Sequence, residues 1–356
     1  MRDGNEIRVA VIGYGLAGAV FHAPLIAATP GMRVAAVVTS NPDRAAQARR
    51  DHVGVEVLDS ADRVWERAGE FDLAVVASPN RTHVPLAGAA IQAGIPVVVD
   101  KPLAASSGDA RRLVDEARRR GVMLTVFQNR RWDGDFLTLQ RLIAEGVLGD
   151  AFRFESRFER WRPAPKGGWR ERGDPAEGGG VLFDLGSHLV DQALVLFGPA
   201  AEVYAEVDSR RDGVEVDDDA FVAITHASGA RSHLWMGLLA ADMGPRLRVL
   251  GTRGAYVKTG MDVQEEQLRG DGPRPPEPSF GVDPRERWGR VGAGEEWREI
   301  ETERGSWPAF YAAVAEALRA GAPPPVDPAD AVAVLEIIEA ARRSSAEKRV
   351  VPVRAN

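Results

Sequence analysis

The chain has 356 residues, 44% of them hydrophobic and 27% charged, with a formal net charge of −7 and no cysteine. That length suffices for two domains with separate cores, and the acidic balance points away from nucleic acid and from anionic membrane surfaces. Disulfides, thiolate metal ligands and cysteine nucleophiles are excluded. No apolar run nears the length of a membrane span and the polar stretch 1–6 has no signal-peptide core, so a cytoplasmic protein is expected.

The first strand is predicted over 7–12, an almost wholly apolar run suited to a strand covered on both faces. It leads into Gly13-Tyr14-Gly15-Leu16-Ala17-Gly18 and then an Ala-rich helix to about residue 28. Strand, G-x-G-x-x-G and helix in that order form the dinucleotide fingerprint. Gly13 allows the tight turn, Gly15 the approach of a pyrophosphate and Gly18 close packing of helix on strand; the helix start favours the negative charge. The second strand, 34–39, ends in Thr39-Ser40-Asn41 with Arg44 one turn further on. An NAD site usually carries a carboxylate here for the ribose 2′-hydroxyl. With none present, and with a hydroxyl and a guanidinium in its place, NADP is favoured over NAD. The alternative is that Asn41 caps the next helix and Arg44 is solvated.

Strands and helices keep alternating: a strand over 71–77, then Ser78-Pro79-Asn80 and a helix through 93; a strand over 95–99 ending in Asp100-Lys101-Pro102; a helix over 107–120 closed by Gly121; and a strand over 122–127. Repeated βα units predict a doubly wound parallel sheet, the Rossmann arrangement, with ligands beyond the carboxyl ends of the strands. Lys101 stands at such an end. The chain has only four lysines, Lys101, Lys166, Lys258 and Lys348, and a compact ammonium there is a catalytic candidate because it can bond a single hydroxyl. Pro102 makes a cis bond possible. For His83, at the start of a helix, a functional role and a capping or surface role are equally consistent.

After a helix over 133–145 the pattern changes. Strands are predicted over 151–161, 201–209, 220–227, 231–238, 247–250 and 255–258, with hairpin turns at Ser228-Gly229 and Thr252-Arg253-Gly254. The second domain is therefore α+β on an open-faced, mainly antiparallel sheet. The boundary is drawn at 1–127 and 128–356, with a last helix at about 328–345 as a candidate to pack back on the first domain. An irregular excursion is expected over 270–294. The basic, aromatic stretch 153–172 is either a frame for a polyhydroxylated ligand, through Trp161 or Trp169, or an exposed strand or subunit contact. Asp217-Asp218-Asp219 reads as a solvated turn. Gly178-Gly179-Gly180 opens a helix predicted to run to Phe197, on which Asp184, His188 and Asp191 fall at i, i+4 and i+7 on one face. A carboxylate one turn from an imidazole fixes its tautomer and raises its basicity, as a general base requires; the alternative is a polar, solvated helix face. No metal is expected, because a third ligand of suitable type is absent nearby.

Phe21-His22-Ala23-Pro24-Leu25, Val38-Thr39-Ser40, Asn129-Arg130-Arg131-Trp132-Asp133 and Asp184-Leu185-Gly186-Ser187-His188, with the glycine turn and Asp100-Lys101-Pro102, carry a family resemblance. Over nearly all its length the chain resembles the glucose–fructose oxidoreductase, inositol dehydrogenase and rhizopine-catabolism family, most of all its NADP-dependent scyllo-inositol dehydrogenase branch. Asp100 stands where the family usually has Glu. The resemblance implies hydride transfer between the nicotinamide and a secondary alcohol carbon of a sugar or cyclitol, in homodimers or homotetramers built through the second sheet. It implies that Lys101 holds the reacting hydroxyl, Asp184 binds or orients beside it and His188 is the acid/base, with Asn129 lining the substrate pocket. Ser78, Pro79, Asn80, His83 and Pro102 would flank the nicotinamide. A dinucleotide-sensing regulator and an NAD-dependent glycosidase share the fold and stay open.

Overall fold

The computed structural model describes residues 6–165 and 178–353. The chain divides into two compact units: Met1–Asn129 with Gln264–Phe280 and Ser306–Val332, and Arg130–Val263 with Gly281–Gly305 and Ala333–Asn356. Two segments from later in the chain belong with the first unit.

The first unit is built on six parallel strands, β1 (Ile7–Ile12), β2 (Met32–Val38), β3 (Glu56–Leu58), β4 (Leu73–Val76), β5 (Val97–Val99) and β6 (Leu124–Val126), in the order β3-β2-β1-β4-β5-β6. This is the doubly wound order, and the ligand crevice of such sheets lies where the order reverses, between β1 and β4. Val9, Val11, Val37, Val75 and Val98 are 0% exposed, as a sheet covered on both faces requires. Helix Ser107–Arg120 matches its predicted bounds: Ser106 caps it by accepting from Asp109 N, and Gly121 ends it at φ 63°. The expected helix after the glycine turn instead begins as a π-helical turn, Ala17–His22, before Ala23–Ala27 becomes α. Pro24 has no N–H to close an α turn and its ring crowds the carbonyl four residues back, so a wider turn relieves the clash.

The sequence reading has no helix over Asp62–Glu66, Gln264–Arg269 or Pro308–Ala320, the last of which buries Phe310, Tyr311, Val314, Ala315 and Ala317. Phe310 meets Phe127 edge to face with ring centroids 5.0 Å apart, and Thr125 Oγ1 donates to the Val326 carbonyl at 2.8 Å.

The second unit carries β7 (Ala151–Glu159), β8 (Ala200–Asp208), β9 (Asp219–His226), β10 (Arg231–Gly237), β11 (Leu247–Gly251), β12 (Ala255–Lys258), β13 (Gly289–Ala293), β14 (Glu296–Ile300) and β15 (Val351–Pro352). Their order is β14-β13-β12-β11-β7-β10-β9-β8-β15. The sheet is mainly antiparallel, with one parallel pair, β7 and β10. The predicted excursion 270–294 includes β13, whose Val291 is buried and pairs with Tyr256. Along β9 burial alternates strictly, and Val222, Ile224, Leu234 and Met236 form the covered face. Helix Pro328–Glu347 begins in the first unit and ends in the second. Among the described residues no helix is long and apolar enough to cross a membrane.

Candidate active site

In the first unit the glycine turn separates what the protein needs from what a ligand needs. Gly13 has φ 97°, and a Cβ there would lie 2.7 Å from the Ala77 carbonyl oxygen at the end of β4. On Gly18 a Cβ would stand 2.0 Å from the Gly13 oxygen. Both glycines are dictated by backbone packing. Gly15 is different: a Cβ there would meet only Arg44 Nη1, at 3.8 Å. Neither its conformation nor a neighbouring protein atom calls for glycine, and the open side is where the fingerprint leads a pyrophosphate. The residues present fit a dinucleotide.

Leu16 and Ala17 complete the turn, with Leu16 41% exposed. Tyr14 turns inward: its hydroxyl donates to Asp51 Oδ2 at 3.1 Å and lies 3.0 Å from His52 Nε2, tying the turn to the end of helix Pro42–Asp51. Burial and the Asp51 charge push the Tyr14 phenol up, so it remains a donor. At the end of β2, Asn41 Oδ1 accepts from Arg44 N at 3.0 Å and Thr39 Oγ1 from Asn41 N at 3.3 Å. The capping alternative therefore holds for Asn41, while the Arg44 side chain reaches back to Gly15. Ser40 is exposed beside them.

At the end of β4, Ser78 Oγ and Thr82 Oγ1 are 2.6 Å apart, and Pro79 and Asn80 lead into a short 3₁₀ turn. His83 is neither a cap nor a surface group. It is 1% exposed, with Nδ1 2.8 Å from the Pro102 carbonyl oxygen and Nε2 2.9 Å from that of Ser78, so it braces the β4 and β5 ends against each other. The Lys101–Pro102 peptide is cis, and Lys101 N donates to Asp100 Oδ1 at 2.9 Å. Asn129, 7% exposed, opens a 3₁₀ turn just after β6.

In the second unit the expected continuous helix is broken. Val181–Asp184 forms one short helix and Gly186–Phe197 another, with Leu185 between them at φ −99°. Asp184 ends the first of these helices, and His188 and Asp191 lie on the second. The first of the two helices starts on a cap the sequence reading missed. Asp217, expected in a solvated turn, accepts from Leu182 N at 2.7 Å, while its carbonyl accepts from Val181 N at 2.9 Å. Gly180, at φ 90°, leaves room for this carboxylate; a Cβ there would lie 2.2 Å from Asp217 Oδ1. Burial pushes the Asp217 carboxyl up. Asp218 is also buried and accepts from Arg211 Nε at 2.8 Å.

Asp184 is half-buried and His188 is 6% exposed, its ring centroid 6.5 Å from that of Phe158. Asp191 is engaged by Arg131, which donates through Nε at 2.8 Å and Nη2 at 2.6 Å. Gln192 next to it donates to the Arg130 carbonyl at 3.0 Å and accepts from Arg246 at 2.9 Å. These bonds lock the His188 helix to the 130–132 turn, so the imidazole is presented by a rigid element. Trp161 is exposed and bridges to Leu239, whereas Trp169 lies outside the described residues. No group of metal-ligating side chains occurs among the described residues.

A glycine kept open for a ligand at the switch point of a doubly wound sheet marks a dinucleotide-binding protein, and the comparisons assign it to the oxidoreductases. A family model described as "Oxidoreductase family, NAD-binding Rossmann fold" matches residues 7–128, and one described as "Oxidoreductase family, C-terminal alpha/beta domain" matches 140–353. The chain belongs to this Gfo/Idh/MocA oxidoreductase family. It is 42% identical to YdgJ of Escherichia coli K12, named an uncharacterized oxidoreductase, over 94% of this chain and 95% of that one. It is 35% identical to the scyllo-inositol 2-dehydrogenase (NADP(+)) IolW of Bacillus subtilis, over 98% and 97%. The solved structure of yvaA from Bacillus subtilis is 34% identical, with a TM-score of 0.92 over 99% of this chain and all of that one.

Proposed function

We propose that the protein is an NADP-dependent dehydrogenase of a sugar or cyclitol, acting on a secondary alcohol of an inositol-like polyol. The observation that carries the reading is Lys101 at the carboxyl end of β5, within a unit whose Gly15 is left open beside Arg44. Similarity to the NADP-dependent scyllo-inositol 2-dehydrogenase over 98% of the chain supports the cofactor and the substrate class. Arg44, with Thr39, Ser40 and Asn41, would take the 2′-phosphate, and the Gly13–Gly18 backbone the pyrophosphate. When bound, the nicotinamide accepts or supplies the hydride at its C4.

The chain's own residues handle the oxygen and its proton. Lys101 donates a charged hydrogen bond to the reacting oxygen and favours the developing alkoxide. His188 takes the hydroxyl proton during oxidation and returns it during reduction, with Asp184 orienting the substrate beside it. Asn129 would contribute a further polar contact to substrate. The exposed Phe152 and Trp297 on the second sheet support assembly of copies through that sheet, which light scattering checks directly.

The test is a panel of inositols and aldoses with NADP and with NAD, followed by absorbance of the reduced nicotinamide. Turnover of a cyclitol or sugar with NADP is expected. Lys101→Ala and His188→Ala are expected to lower kcat by about 10²–10⁴ while leaving NADPH affinity close to the parent's. Near-full activity in either variant overturns its assignment.

A further inference from the structure

Beside Lys101 in the first unit runs a buried line of polar groups that the reaction above does not use. Tyr311 and His22 are both 0% exposed, and the phenol oxygen lies 2.6 Å from His22 Nδ1. The other ring nitrogen, Nε2, makes no hydrogen bond and faces Asp100 Oδ1 at 3.7 Å. The same Asp100 oxygen accepts the Lys101 backbone N–H. A ring nitrogen that faces a carboxylate is the one that carries the hydrogen, so Nδ1 is the acceptor and the Tyr311 hydroxyl the donor. Each dipole in the line then turns its positive end toward Asp100.

The charges agree with this order. Burial favours the neutral acid at Asp100, but His22, Lys101 and His83 outweigh it and hold the carboxyl below its usual range. Tyr311 is pushed well up by burial and by the Asp100 charge, so its hydroxyl keeps its proton. An apolar pair of similar size would fill the same space without burying a hydroxyl and an imidazole, so packing alone does not account for the line.

We propose that Tyr311 and His22 are positioning residues for Lys101 and act through Asp100: they hold the carboxylate in place, and it anchors the lysine's backbone and gives its ammonium a fixed negative neighbour. The inference rests on the reading of Lys101 as the group that polarises the reacting oxygen. Tyr311→Phe removes one hydroxyl from a packed ring, and His22→Gln, Asp100→Asn and Asp100→Glu probe the rest of the line.

Two readouts test it on the full chain. Tyr311→Phe should lower kcat on the order of 10-fold with KM and NADPH Kd near the parent's, and should also lower Tm modestly because the buried His22 Nδ1 loses its donor; Asp100→Asn should lose more kcat, and Asp100→Glu should recover most of that loss. The second readout needs no substrate. With only four lysines, reductive ¹³C-methylation gives a sparse NMR spectrum in which Lys101→Arg identifies the Lys101 signal. That signal should move in Tyr311→Phe, His22→Gln and Asp100→Asn, while the Lys348 signal stays. An unmoved Lys101 signal, or a Tyr311→Phe whose KM and NADPH Kd worsen as far as its kcat falls, overturns the proposal. Failure of the parent to turn over any polyol overturns the dehydrogenase reading instead, and the NMR arm still decides this one.

Discussion

Gly15 and Gly18 stand three residues apart in one turn, and substitution by alanine should affect them in opposite ways. At Gly18 the added methyl would lie 2.0 Å from the Gly13 carbonyl oxygen, a backbone atom with no freedom to retreat. The overlap exceeds 1 Å, so the cost is at least the ~1–3 kcal/mol of ordinary overpacking, or several degrees of Tm. At Gly15 the methyl meets only Arg44 Nη1, at 3.8 Å, which is ordinary contact. The ligand-free protein should therefore keep its stability or gain ~0.4–1 kcal/mol from a less flexible unfolded chain. Cofactor binding should report the reverse: a methyl where the pyrophosphate approaches should raise the NADPH Kd about 100-fold, or ~2.7 kcal/mol. Thermal melts without ligand and fluorescence titration with NADPH measure the two effects separately. A Gly15→Ala protein that binds NADPH as the parent does, or melts as early as Gly18→Ala, would refute the assignment of that space to a ligand.

Arg44→Ala should weaken NADPH about 10-fold and leave NADH within twofold, read by paired titrations. Breaking the buried Arg131–Asp191 pair with Arg131→Met should cost about 3 kcal/mol in chemical denaturation, with Asp191→Leu on top restoring much of it, because the first change takes two charged donors from a carboxylate that is 2% exposed. The partly exposed Arg8–Asp72 pair should contribute only ~0.5–1 kcal/mol at pH 7. Burial works against the Asp72 carboxylate, but Arg8 outweighs it and holds the pKa below the ordinary 3.8. A depressed folded pKa means the stabilisation is present above 3.8 and is lost as pH falls through the lower folded value. The gap between parent and Asp72→Asn in urea melts should close over that acidic window.

Local patterns were legible in the sequence and long-range partnerships were not. The glycine turn between strand and helix, and the bounds of Ser107–Arg120, follow from spacing and caps within a few residues of one another. The start of the Val181–Asp184 helix depends on Asp217, and no periodicity in 178–191 announces a cap that arrives from 35 residues away. His83 was undecided because its two acceptors lie on separate strand ends. His22 stood in a motif that carried the family resemblance, yet its partner Tyr311 is 289 residues distant, on a helix whose spacing was readable and was passed over.

That distance bears on how relatives of this protein can be recombined. The first unit takes Ser306–Val332 from beyond most of the second sheet, and this segment carries Tyr311 for His22, Phe310 for Phe127 and the Val326 carbonyl for Thr125. A nucleotide-binding module excised near residue 128 leaves those three groups uncovered. A chimera that exchanges specificity between relatives must therefore carry both ends of the transplant, or accept a wound in its hydrophobic interior.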